Sequence, residues 1–404
     1  MRVRNSPTIR NGEYVLNITA DSKLDPISLM VNRVKSDQRR HVLDLSIGFY
    51  QSEDQRHTGF SVLDDSKADS ACNDITFSIL GIEKYRDAVK KLITPKDTIS
   101  HNISTVQTIG ASGGLWLVFL ILKREAGAKR VWFSDPTWGN HLEIAKSIGL
   151  GIERYNYDIN KEGTLNFSAI KESLNSLKPN DILVLQGCCH NPCGVDLTLE
   201  QWTEVSILAK IRSVYIVIDF AYFGLLRSFV EDKAILTPLL DILDNLFVVN
   251  SFSKSLGLYG ERLGSLTFFS RSELEVSSFE NFAKNIVRST YSMPPQQWAT
   301  QVADVITSPD AFRKWVGEIA VVRDTLNSRK EALISALVSR GIDGLITNTK
   351  SNGMFLNLAL SAEEVEALAV KFGVYILGNG RLSLAGLQKR DINKLADAIY
   401  KIKL

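Results

Sequence analysis

The segment SFSKSLGLYGERLG at residues 251–264 sets Lys254 among hydroxyl groups, with Arg262 close behind. It follows LFVVN (246–250), a short apolar run that reads as a buried strand. Lys254 therefore emerges at a strand end, where open α/β sheets bind their ligands. A lysine there is ordinarily a solvated loop residue, yet its amine can also attack carbonyls and carry protons. The surrounding residues decide between the two. DPTWGNH follows an apolar run ending near 134, HNPCG follows one ending near 187, and DFAYFG begins at Asp219. GASGG (110–114) precedes the helix-like LWLVFLILKREA, so its backbone N–H groups form an anion site at a helix start.

The glycine-rich turn lacks both the GxGxxG spacing of dinucleotide folds and the GxxxxGK[ST] of P-loops. A phosphate-bearing ligand still fits, with Ser251, Ser253 and Arg262 as further donors, the arginine through its planar fork. A cofactor with a phosphate, a carbonyl and an aromatic nitrogen needs an amine for a Schiff base. It also needs a carboxylate to keep the ring nitrogen protonated, so that the ring serves as an electron sink. Pyridoxal phosphate is such a molecule. Lys254 would take its aldehyde and Asp219 its ring nitrogen; Tyr222 and Asn191 can hydrogen-bond the ring oxygen, and Trp138 can stack on the ring.

The elements that must hold these residues are legible between about 105 and 270. Candidate strands are 130–135, 181–187, 214–219, 246–250 and 265–270, alternating with helical stretches such as 142–149 and 199–212. Apolar strands alternating with helices predict a mainly parallel sheet covered on both faces. Beyond 271, long helices (ELEVSSFENFAKNIVRS, then 310–340) lead to a smaller α+β region. Its strand candidates are GMFLNLAL, VYILG and RLSLAG, and QKRDINKLADAIYKI forms a closing amphipathic helix. Residues 51–75 read as loop-rich.

Composition narrows the function class. The chain has 404 residues, enough for more than one lobe, and its 47 Lys+Arg against 45 Asp+Glu leave no basic footprint for nucleic acid. Three of the four cysteines, Cys188, Cys189 and Cys193, cluster beside His190 without the spacing that closes a zinc site; Cys72 stands apart. No metal is expected. No disulfide framework is evident, the N-terminus lacks the apolar core of a signal peptide, and LWLVFLIL is too short to span a bilayer. A soluble cytoplasmic protein is the expectation.

Taken together, LDPI (24–27), GCCHNPCGVDLT, DFAYFG, SFSKSLGLYGERLG, VRSTYSMPP, SNGMF and RLSLAG (381–386) resemble the class I aminotransferases. The likeness is to the aspartate and aromatic amino-acid branch of fold type I pyridoxal-phosphate enzymes. The resemblance implies an α/β fold, with a large domain built on a mainly parallel seven-stranded sheet and a smaller α+β domain. Residues 1–20 would be an N-terminal arm, 21–50 and 310–404 the small domain, and 51–309 the large cofactor domain. It implies amino transfer between an L-amino acid, aromatic or dicarboxylic, and a 2-oxo acid such as 2-oxoglutarate, by a ping-pong mechanism. Lys254 would be the Schiff-base lysine, Asp219 and Tyr222 its catalytic partners, and His141 a neighbour of Asp219. Gly110, Ala111, Ser112, Ser251, Ser253 and Arg262 would hold the phosphate. Arg381 would clamp the substrate α-carboxylate, aided by Asn191 and the Gly48 backbone, and Trp138 would also line the substrate. Arg288 would reach from a neighbouring subunit to a distal carboxylate, which implies a homodimer with sites at the interface.

The alternatives are a lyase or synthase with the same cofactor and a ligand-binding regulator on a degenerate scaffold; the joint presence of Lys254, Asp219 and Arg381 speaks against the latter. Three positions depart from the aspartate branch. Ile79 stands where a tyrosine would donate to the phosphate across the dimer, Cys193 replaces a threonine, and Met293 replaces a polar side chain. Ile79 and Met293, with Phe49 and with Ser112 in the phosphate turn, tilt the expected substrate towards an aromatic or similarly bulky amino acid.

Overall fold

In a computed structural model of the chain, the residues described are 26–53, 60–65, 77–96, 98, 100–160, 163–346 and 349–404, with the paired strands Thr8–Arg10 and Glu13–Val15. Cys72 and most of the expected N-terminal arm lie outside them. A seven-stranded sheet forms the centre. Its strands are β1 (Asn102–Ile109), β2 (Arg130–Asp135), β3 (Gly151–Asn156), β4 (Ile182–Gln186), β5 (Tyr215–Phe220), β6 (Asn245–Ser251) and β7 (Leu263–Ser270). They lie in the order β1-β7-β6-β5-β4-β2-β3, and only β7 runs antiparallel to its neighbours.

The expected strands are present, with two additions. β1 and β3 are the outer strands, and their sequences NISTVQTI and GIERYN are too polar to register as apolar runs. β3 is mostly exposed or half-buried, so its polar side chains meet water, whereas β1 is buried in its middle and its polar side chains find partners: Thr105 bonds Thr267 and Gln107 the Pro295 carbonyl. β4 to β6, in the interior, are buried almost throughout, as expected of parallel strands covered on both faces.

Helices cover the sheet. Gly110–Glu125 (α1) begins at the glycine-rich segment itself rather than after it, packing Leu115, Val118 and Phe119 into the core. Gly139–Ile148 (α2) buries His141, Ile144 and Ala145. Glu273–Thr290 (α3) and the thirty-residue Pro309–Val338 (α4) follow the sheet. Ser61–Asp65, inside the stretch expected to be loop, forms a short helix. Past α4, Phe355–Asn357 pairs antiparallel with Arg381–Ser383, and Val374–Tyr375 pairs in parallel with Leu43–Asp44. The segment near residue 44 is thereby tied to the C-terminal region. Among the described residues, no helix is long and apolar enough to cross a membrane.

Candidate active site

Three neighbouring parallel strands, β4, β5 and β6, end side by side, with Gln186 opposite Asp219 and Phe220 opposite Asn250. Asn191, Asp219 and Lys254 leave the sheet at these ends. Lys254 lies on a single helical turn, Phe252–Ser255, whose cap is Ser251: the Ser251 hydroxyl accepts from the Ser253 N–H at 3.2 Å. Its half-buried amine is pushed down from 10.5 to about 8. Burial is the main cause, followed by the Arg262 charge; Asp219 opposes the shift and Arg381 adds to it. The amine also lies 4.8 Å from the centre of the Tyr259 ring.

Asp219 is buried. Its Oδ2 is 3.0 Å from His141 Nε2, and its Oδ1 accepts the Ala221 N–H at 3.0 Å. The His141 ring is held in turn by Thr137 Oγ1 at 2.9 Å from Nδ1, by stacking on Phe133, and by the edge-on Trp138. These contacts leave one orientation for the carboxylate. Asn191 is fixed by Gln186, whose amide nitrogen donates to Asn191 O at 3.0 Å and whose amide oxygen accepts the Asn191 N–H at 2.8 Å. Asn191 Nδ2 then donates to the Tyr222 hydroxyl at 3.3 Å. Burial raises the Tyr222 phenol well above its ordinary value.

Arg381 comes from the C-terminal strand Arg381–Ser383. Its Nη1 donates to Asn191 Oδ1 at 3.0 Å and its Nη2 to the Ser46 carbonyl at 2.7 Å, while the guanidinium covers the Phe355 ring at 4.2 Å. Burial lowers its pKa. Arg381 Nε is buried without a hydrogen-bond partner, so the group has donor capacity to spare. Gly48 lies against the same Phe355 ring: a Cβ on Gly48 would come within 2.8 Å of it.

At the other end, α1 starts with no side chain capping its first turn, leaving the N–H groups near Gly110, Ala111 and Ser112 as donors. Gly110 has φ 66°, and a Cβ there would meet Arg262 Nη2 at 2.5 Å. A glycine is therefore needed for the guanidinium to approach this turn. Together with the Ser251 and Ser253 hydroxyls, 3.0 Å apart, these donors suit a phosphate. A half-buried amine, a carboxylate and a phenol–amide pair complete a donor set that matches pyridoxal phosphate. Trp138, half-buried at the start of α2, borders it.

Arg288 stands apart from this cluster. It is exposed at the end of α3, donates to the Ser292 hydroxyl and lies over the Phe77 ring at 5.6 Å. Ile79 and Met293 are half-buried and Phe49 is exposed. Cys188, Cys189 and Cys193 are free and buried; Cys193 Sγ is 2.8 Å from His190 Nδ1, and His190 Nε2 is 2.8 Å from Ser134 Oγ. Among the described residues, no group of His, Cys, Asp and Glu could hold a metal ion. Sequence reasoning passed over Gln186, Tyr259 and Phe355, which hold or border the expected residues. Tyr259 was within reach, five positions after Lys254 in the same motif, but its type alone gave no role.

The family model for aminotransferase class I and II matches residues 40–399. The chain belongs to that family. It is 32% identical over 394 residues to the aspartate aminotransferase of Escherichia coli, covering 96% of this chain and 99% of the relative. To the aromatic-amino-acid aminotransferase of the same organism it is 31% identical, covering 94% of this chain and 97% of the relative. Its fold matches the crystal structure of the Burkholderia pseudomallei aromatic-amino-acid aminotransferase covalently bound to pyridoxal phosphate. The TM-score is 0.88 at 30% identity, over 96% of this chain and all of that one. The chain is a pyridoxal-phosphate-dependent aminotransferase.

Proposed function

We propose that this aminotransferase binds its cofactor through Lys254 and moves the substrate proton with the same amine. The observation that carries the reading is the Lys254 amine. It is half-buried, has a pKa lowered to about 8, and lies where β4, β5 and β6 end together. When bound, pyridoxal phosphate supplies a carbonyl for the amino group and a ring that withdraws the electrons released at Cα. Gly110, Ala111, Ser112, Ser251, Ser253 and Arg262 would hold its phosphate. Asp219, steadied by His141, would keep a proton on the ring nitrogen; Tyr222 and Asn191 would hold the ring oxygen, and Trp138 would cover the ring. Arg381 with Asn191 and the Gly48 backbone orients the α-carboxylate, which sets the Cα–H bond towards Lys254 Nζ. An amine with a pKa near 8 can accept that proton near neutral pH and give it back.

Residues 51–309 form the cofactor domain, and 21–50 with 310–404 a small domain; the pairing of Leu43–Asp44 with Val374–Tyr375 supports grouping the segment near residue 44 with the C-terminal part. The exposed Arg288 serves the distal carboxylate of a substrate bound in the partner subunit of a homodimer. Glutamate with 2-oxoglutarate and an aromatic amino acid are the substrates proposed; the aromatic half accords with the name of the aromatic-amino-acid relative. A cytoplasmic location accords with the cytoplasmic isozyme among those relatives.

The test is a screen of single amino acids without acceptor, following the cofactor absorbance and the oxo acid released. Glutamate and phenylalanine are each expected to release oxo acid only in stoichiometric amount until 2-oxoglutarate is added. Continuous turnover without an acceptor would contradict amino transfer and favour a lyase.

A further inference from the structure

Arg329, on α4, has a side chain with 0% exposure. A guanidinium is stable in such a place only if its donors are satisfied. Its Nε donates to Glu53 Oε1 at 3.0 Å, Nη1 to the carbonyls of Leu384 at 3.1 Å and Ala385 at 2.9 Å, and Nη2 to the Gln51 carbonyl at 2.6 Å. Its face lies over the Tyr50 ring at 5.4 Å.

All these partners belong to two segments. One, Tyr50 to Glu53, begins two residues after Gly48; the other, Leu384 and Ala385, directly follows the strand Arg381–Ser383. These segments have little regular structure to hold them, since the strands beside them are two and three residues long. They are joined by Gln51 N–H to the Ala385 carbonyl at 3.0 Å and Ser383 N–H to the Leu45 carbonyl at 2.8 Å. Arg329 closes the arrangement from the helix side, and Glu53 Oε2 extends it by accepting the Lys389 N–H at 3.1 Å. The Tyr50 N–H in turn donates to Tyr259 OH at 3.0 Å, and the Tyr259 ring is the one beneath Lys254.

We propose that Arg329, assisted by Glu53, is a positioning residue for substrate binding: it fixes the spacing between the Gly48 backbone and the Arg381 guanidinium so that both meet one carboxylate. The planar fork suits this task because it binds several carbonyls in one fixed geometry, which a lysine cannot do. The inference rests on the reading of Arg381 as the carboxylate clamp.

Holoenzyme variants Glu53→Gln, Arg329→Lys and Arg381→Leu test it. The probes are succinate and 3-phenylpropionate, carboxylates without an amino group, titrated against the cofactor absorbance. Glu53→Gln keeps the three carbonyl bonds of Arg329. It is expected to weaken probe binding and raise KM for amino acid and oxo acid alike by about 3- to 10-fold, the range of one neutral hydrogen bond. Its kcat and cofactor retention should stay near the parent values. Arg329→Lys keeps the charge but not the fork, and should weaken probe binding by about 10- to 100-fold, the range for bonds to a charged group. A lowered melting temperature with unchanged probe affinity and KM in the folded variants would overturn the positioning role. Should Arg329→Lys fail to fold, Glu53→Gln decides alone. Unchanged probe binding in Arg381→Leu would instead overturn the carboxylate-clamp reading beneath the proposal.

Discussion

Arg381 and Arg288 carry the same guanidinium in opposite settings. Arg381 is 7% exposed, bonded to Asn191 and Ser46 and seated on Phe355. Arg288 is exposed at a helix end, bonded to Ser292 and lying over Phe77, itself 64% exposed. Fixing the first requires β4, the strand Arg381–Ser383 and the segment near Ser46 to be in place. The second is held by its own helix end and one surface ring. In the proposed roles, the arginine that meets every substrate is built into the interior, and the one that meets only some stands at a helix end.

That contrast can be broken at either arginine. Arg381→Leu is expected to lower kcat/KM for every substrate by about 30- to several-thousand-fold, the cost of removing one partner of a buried charge pair. Comparable rates for any one substrate class would show that the carboxylate is bound elsewhere. Arg288→Leu should produce a loss of the same order for glutamate and 2-oxoglutarate but little for phenylalanine in its own half-reaction. Equal losses in both classes would give Arg288 a structural role, and no loss would remove it from the site.

Two smaller effects sharpen the picture at the cofactor end. Ile79→Tyr should tighten cofactor retention by about 10- to 100-fold, the range for a hydrogen bond to a charged group. Equal or weaker retention would mean that position 79 does not face a phosphate. In cofactor-free protein, the lowered pKa leaves the Lys254 amine neutral, and so reactive, above about pH 8 rather than 10.5. Acetylation at Lys254 should therefore be half-maximal near that pH. A midpoint near the ordinary lysine value would mean that burial and Arg262 do not act on it.

The same contrast governs what could be read from the sequence. β4, β5 and β6 stand out because interior parallel strands must be apolar on both faces, so the polar residues at their ends stand out too. Asn191, Asp219 and Lys254 were legible for that reason. The polar outer strands β1 and β3 were not, because the polar side chains of β3 meet water and those of β1 are buried against hydrogen-bond partners. Gln186 and Tyr259 act by holding other residues, and a side chain's type does not reveal what it holds. Arg329 is the clearest case: within the α4 sequence it looks like one more charged helix residue, and only the packing shows its donors turned inward. The role proposed for Arg288 needs a second chain, which neither periodicity nor spacing within one sequence can supply.

The central claim is that Lys254 carries the cofactor. Borohydride reduction of the holoenzyme, followed by proteolysis and mass mapping, tests it directly. The cofactor is expected to appear as a stable adduct on the peptide containing Lys254, and Lys254→Ala should yield no adduct while still binding the cofactor reversibly. An adduct on any other lysine, or one that persists in the variant, would contradict the account.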